Sequence, residues 1–204
     1  VQQKSIGITK FLKIRGIYTS GVMKKYVSIS MIRETLNDIP VYHVPDGFSL
    51  RCYRPGDEKL WVKIHEQADQ YNNITSETFD RVFNSDFEAL AERQYYLLDS
   101  QKQAVGTATA WFDNGNKERY NGRVHWVAII PEMQGKGLAK PLLSAVCEKL
   151  RELGHERAHL TTQPERIAAI NLYLQFGFMP EVKTIDDLET WSRVEMIMDR
   201  NLLP

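Results

Sequence analysis

Apolar and polar residues alternate from Phe48 to Cys52, a period of two that predicts a strand over 48–54. Pro55-Gly56-Asp57 then marks a turn, with Asp57 placed to cap a helix over 57–71 whose apolar face is Leu60, Trp61, Ile64 and Ala68. Phe79, Val82, Phe83, Phe87 and Leu90 repeat at helical spacing and predict one helix over 76–92, opening at Ser76. A strand pair follows at 94–99 and 103–112, with a turn at Asp113–Asn116. Val124–Ile130 is a β-branched apolar run, so a buried strand is expected over 123–130, stopped by Pro131. Leu138, Leu142, Val146, Leu150 and Leu153 form one stripe of a helix over 136–153. A strand at 157–162, a helix at 165–176 and two strands at 178–183 and 191–198 complete the pattern. Seven strands interleaved with four helices predict an α/β (α+β) chain with a mixed sheet.

The junction after the strand at 123–130 carries the most chemistry. Gln134-Gly135-Lys136-Gly137-Leu138-Ala139 places a two-glycine turn at a helix start. The first N–H groups of a helix have no intrahelical partner, and that terminus carries a partial positive charge, so it suits a phosphate. Glycine leaves room for close backbone approach. The dinucleotide fingerprint needs a third glycine, where this chain has Lys140, and the triphosphate loop string is missing. The remaining pattern is Gln or Arg, two free positions, Gly, one free position, then Gly or Ala, and it is met at every fixed position. A helix start that holds no ligand is the plainer alternative.

A second motif lies downstream, with Ala169-Ile170 and Leu172-Tyr173 on a short helix followed by Gly177-Phe178. With both motifs in this order, the chain resembles the GNAT superfamily of N-acetyltransferases over about residues 47–200. The resemblance implies a central, mostly antiparallel sheet of six to seven strands flanked by about four helices, with the middle strands splayed. It implies acetyl-CoA as co-substrate and no metal. The turn amides from Gln134 to Ala139 would hold the pyrophosphate, and the backbone of Val127, Ala128 and Ile129 would hold the pantetheine arm and the thioester oxygen. Where the family often has Asn seven residues before the tyrosine, this chain has Arg166.

Acetyl transfer to an amine needs a route for the amine proton and a proton for the departing thiolate. Tyr173 is the candidate acid, since an ordinary tyrosine is protonated at neutral pH. Many relatives place a carboxylate about six residues before the proline of the motif strand. Here that residue is His125, the candidate base, which reads equally as a packed sheet residue. Asp113, Glu132 or a water chain are the other routes. Cys147 and His159 read as packed residues, and His43, His65 and His155 show no metal-ligand spacing. The acidic residues Asp69, Glu77, Asp80, Asp86, Glu88 and Glu92 would either draw a cationic acceptor or form a solvated face.

Composition narrows this little further. The 204 residues balance 26 basic against 26 acidic, which gives no nucleic-acid or membrane signal, and two cysteines suit a cytoplasmic setting. Six of the basic residues and none of the acidic ones fall in residues 1–30, read as a basic extension or leader. Residues 31–46 read as a lead-in and 47–204 as the acetyltransferase domain. The expected partner is a small-molecule or peptide amine, in a monomer or homodimer. The alternative is an acyl-CoA-binding module of the same fold without turnover.

Overall fold

The structure is a computed structural model that describes residues 27–112 and 121–203. Among them are seven strands and six α-helices. The strands are β1 (Ile29–Arg33), β2 (Ser49–Cys52), β3 (Gln94–Leu98), β4 (Ala104–Phe112), β5 (Asn121–Ile129), β6 (Arg157–Thr162) and β7 (Met179–Glu181). The helices are α1 (Glu58–Ala68), α2 (Ser76–Phe83), α3 (Phe87–Arg93), α4 (Ala139–Glu152), α5 (Ile167–Gln175) and α6 (Ile185–Met198). The sheet runs β2-β3-β4-β5-β6-β1-β7, and only β5 and β6 pair in parallel.

Strand alternation divides the core between the two faces. Leu97 joins the cluster formed with Leu142, Val146, Tyr173 and Trp191, from α4, α5 and α6. Its neighbours Tyr96 and Leu98 join Trp61, Phe79, Phe83 and Leu90, from α1, α2 and α3. Helices therefore cover both faces of the sheet.

Four expectations change. Residues 76–92 form two helices because Asn84 and Ser85 take positive φ (50° and 54°), and Asp86 caps the second by accepting from Ala89 N–H at 3.0 Å. Residues 191–198 lie in α6 instead of a strand. Thr184 and Asp187 form a capping box at its start, and Trp191 and Val194 (i, i+3) face the core. With the split, this makes six helices where four were expected. Asp57 sits at the cap position of α1, but its carboxylate accepts from Arg51 and from Arg54 N–H instead of capping.

The fourth change is β1. Its alternation, with Ile29, Met31 and Arg33 buried, puts it between β6 and β7, across the expected boundary at residue 30. Residues 34–46 are likewise tied down. Ser144 Oγ donates to Pro40 O at 2.8 Å and accepts from Tyr42 N–H at 3.0 Å. The sheet therefore begins before residue 47.

Arg33 also explains the glycine of the second motif. Its guanidinium donates to the carbonyls of Phe176, Thr35 and Asn37. Gly177 has φ 75°, and a Cβ there would meet Arg33 Nη1. Gly177→Ala should cost about 1–3 kcal/mol from backbone strain and displacement of a buried cation. A urea-denaturation midpoint that stays put would contradict this.

Candidate functional site

The parallel pairing of β5 with β6 stops at Arg123↔His159. Beyond it the two strands diverge, and a cleft of about 780 Å³ opens between them. Val124–Ile129 line one side, Thr161–Gln163 and α5 the other, and the glycine turn closes one end. Backbone groups of β5 on this side have no strand partner, so a ligand can take them.

The glycine turn leaves its backbone open at the end of the cleft. Gly135 and Gly137 have φ 74° and 75°, and a Cβ on either would meet nothing within 4 Å. Their requirement is therefore backbone conformation and open space, not crowding by the protein. Gln134 Nε2 donates to Ile129 O at 2.9 Å and pins the turn to the end of β5. α4 starts after Leu138 with no side-chain cap and no acidic residue in its first turn. Its N-terminal N–H groups face the cleft without a competing carboxylate, which fits a pyrophosphate. The splayed strand and the uncapped, glycine-opened helix thus suit the two polar parts of acetyl-CoA.

Of the residues expected at the site, His125, Val127, Ala128, Ile129, Gln134, Gly135, Gly137, Leu138, Ala139 and Tyr173 all line this cleft. Lys136 is exposed, with Nζ 3.3 Å from Met133 Sδ, and is not among the lining residues. Tyr173, 7% exposed, packs its ring 6.2 Å from Phe178. Burial pushes its phenol up to about 12, partly offset by Arg166. His125 lies beside Phe83 and Trp126, and burial, then Arg123, lowers its pKa well below the ordinary value. Glu132 is exposed in the single 3-10 turn Pro131–Met133 and does not line the cleft. Asp113 and the turn at 113–116 lie outside the described residues.

Cys147 is fully buried, and burial pushes its thiol up to about 12. It belongs to the core cluster. His159 Nδ1 lies 3.1 Å from Gly122 O, so it too is a packed residue. Glu77, Asp80, Asp86, Glu88 and Glu92 are exposed and do not line the cleft.

Three features emerge only in the fold. β5 carries a bulge: Thr107 opposes Ala128, but Thr109 opposes His125. Trp126 occupies it with φ 48°, a conformation costly for an aromatic residue. Its ring rests 5.0 Å from both Trp61 and His65. Second, Arg166 reaches from the start of α5 to Asp69 at 2.8 Å and stacks 5.0 Å over Tyr71. This strap joins the α1–α2 loop to α5 across the cleft. Third, His65 on α1 is 3% exposed, and its Nε2 has no partner. Its i,i+4 spacing to Asp69 was visible in the sequence, but nothing there showed that this helix face meets the cleft.

The model of the acetyltransferase (GNAT) family matches residues 61–178. Curated relatives include the mycothiol acetyltransferase of Pseudarthrobacter chlorophenolicus, 27% identical over 150 residues covering 69% of this chain and 45% of that protein. The mycothiol acetyltransferase of Actinosynnema mirum is 28% identical over 153 residues, 72% of this chain and 50% of that protein. The chain spans about half the length of the curated relatives it matches. Among solved structures, a GCN5-related N-acetyltransferase from Sphaerobacter thermophilus superposes with a TM-score of 0.62 at 23% identity, covering 76% of this chain and 48% of that one. Ard1 from Thermoplasma volcanium gives 0.56 at 16% identity, covering 67% and 85%. At these identities the structures share the fold. No helix among the described residues is long and apolar enough to cross a membrane.

Proposed function

This chain belongs to the acetyltransferase (GNAT) family, and from that premise we propose that it is an acetyl-CoA-dependent N-acetyltransferase acting on a primary amine by direct attack in a ternary complex. The observation that carries the proposal is the continuity of the cleft. One cavity joins the uncapped α4 N-terminus, the unpaired edge of β5 and Tyr173.

When bound, acetyl-CoA supplies the activated acyl group, and the chain supplies the rest. The N–H groups of the turn from Gln134 to Ala139 hold the pyrophosphate. Backbone N–H groups in Val127–Ile129 hold the arm and stabilise the thioester oxygen as it gains charge. The amine nitrogen forms the new C–N bond, the C–S bond breaks, and Tyr173 gives its proton to the departing sulfur. His125 takes the proton that the amine nitrogen sheds as it attacks. Burial leaves that imidazole uncharged with its lone pair free to accept, and the same burial makes the imidazolium costly, so the proton must pass on to solvent as it arrives.

The names of the curated relatives suggest a mycothiol precursor as one acceptor to try. Titration calorimetry with acetyl-CoA, followed by thiol release across an amine panel, tests the reading. Micromolar binding with amine-dependent release is expected. Binding without release for any amine would favour the non-catalytic acyl-CoA module, and no binding to folded protein would refute the cofactor site.

A further inference from the structure

Six of the eleven large apolar side chains exposed among the described residues fall in one short stretch. They are Met179, Val182, Ile185, Leu188, Met196 and Ile197, each 40–75% exposed. The first two lie in β7 and the turn after it, the other four on α6. At 3.6 residues per turn, Ile185, Leu188, Ser192 and Met196 fall within about 80° of arc and form one stripe along the helix. Trp191 and Val194 lie on the other side and join the core. This 14-residue helix therefore buries one face on its own sheet and presents a second apolar face to solvent.

The surface does not suit an added strand, because β7 is three residues long and contains Pro180, which has no N–H to donate. It does not belong to the cleft either, since none of the cleft-lining residues comes from β7 or α6. The charges beside the stripe say what fits it. Glu189 and Arg193 flank it on one side, four residues apart and both exposed. Neither forms an ion pair among the described residues. Arg193 reaches only Glu189 O at 3.4 Å and Thr190 Oγ1 at 3.3 Å, both on its own helix.

Their midpoint, Trp191, is also close to the middle of the stripe. A second α6 laid antiparallel about a two-fold axis at that point brings its Arg193 to this Glu189 and its Glu189 to this Arg193. Ile185 then meets Met196 and Ile197 of the second copy, and Leu188 meets its Ser192. A patch that complements itself in this way closes as a dimer. A stable dimer buries about 800 Å² on each partner, and α6 laid along its copy, with Met179 and Val182 at one end, offers an area of that order.

We propose that α6 is a homodimer interface, packed antiparallel against α6 of a second copy with Glu189 and Arg193 paired twice across the axis. The clefts, lined from other elements, lie outside the contact.

Sedimentation velocity on the full 204-residue chain, from about 1 to 100 µM, should show a monomer–dimer equilibrium with a micromolar Kd. Met196→Glu should raise that Kd by about thirtyfold or more, since it brings two carboxylates into an apolar contact. Thermal melts and acetyl-CoA binding should stay as in wild type. Glu189→Arg and Arg193→Glu each oppose like charges twice, and each alone should weaken self-association about tenfold. Mixed one to one, the two variants should form a heterodimer of near wild-type affinity, because every charge then meets its opposite. Like charges four residues apart on one helix persist in the mixture, so an effect on the helix alone would not be rescued. A chain that stays monomeric throughout this range overturns the proposal and leaves the face to a different partner. So does a dimer indifferent to Met196→Glu, or to the single charge reversals, or a loss that mixing fails to rescue.

Discussion

Gly137→Asp should weaken acetyl-CoA binding at least a hundredfold while the protein remains folded. Gly137 has φ 75° and open space where a Cβ would stand, in the turn that opens α4. An aspartate there puts a carboxylate where the N-terminal amides of α4 would meet the pyrophosphate. It repels the ligand and satisfies the helix terminus itself. A hundredfold loss is about 2.7 kcal/mol, a reasonable sum for one repelled charge and a blocked approach. Positive φ adds about 1–2 kcal/mol of strain for a non-glycine residue, which lowers stability without touching the ligand. Gly137→Asn separates the two effects, because asparagine tolerates that backbone and carries no charge. It should lose about tenfold in affinity. Calorimetry beside thermal melts reads both quantities. Wild-type affinity in a folded Gly137→Asp protein would mean that the phosphate lies elsewhere.

Tyr173→Phe should lower kcat by roughly a hundred- to a thousandfold, within the usual range for a general acid, and leave KM for acetyl-CoA within about twofold. The ring would still pack on Phe178, so the variant removes the hydroxyl and little else. A hydroxyl that acts only as the sulfur departs contributes to the transition state and not to binding, so the loss falls on kcat. Burial raises the Tyr173 phenol to about 12. The protonated form is the active one, so it persists below that value, and its ionisation produces no falling limb between pH 7 and 10. Unchanged turnover, or a falling limb near 10 that vanishes in the variant while its rate stays high, would remove Tyr173 from the acid role.

Both variants probe residues legible from the sequence, because each sits in a contiguous motif. A glycine turn before a helix, and a tyrosine directly after an Ala-Ile-x-Leu run, declare themselves in short strings. Local signals were also present where the pattern was misread. Asn84-Ser85-Asp86 is a helix stop followed by a cap, and Thr184 with Asp187 is a capping box, yet the longer apolar periodicities hid them. β1 was hidden differently. Its alternation is real, but a basic stretch adjoined it, and its partners β6 and β7 lie more than 120 residues away.

The sequence by itself determined the local elements that a dozen residues can specify: most strands and helices, the glycine turn before α4, and the tyrosine of α5. Only the tertiary structure decided what these elements enclose. The divergence of β5 from β6, the bulge at Trp126, the Asp69–Arg166 strap and the unpartnered His65 nitrogen all depend on contacts between distant segments. A side chain's proton affinity is set by what surrounds it in space, and its neighbours along the chain determine only part of that surrounding.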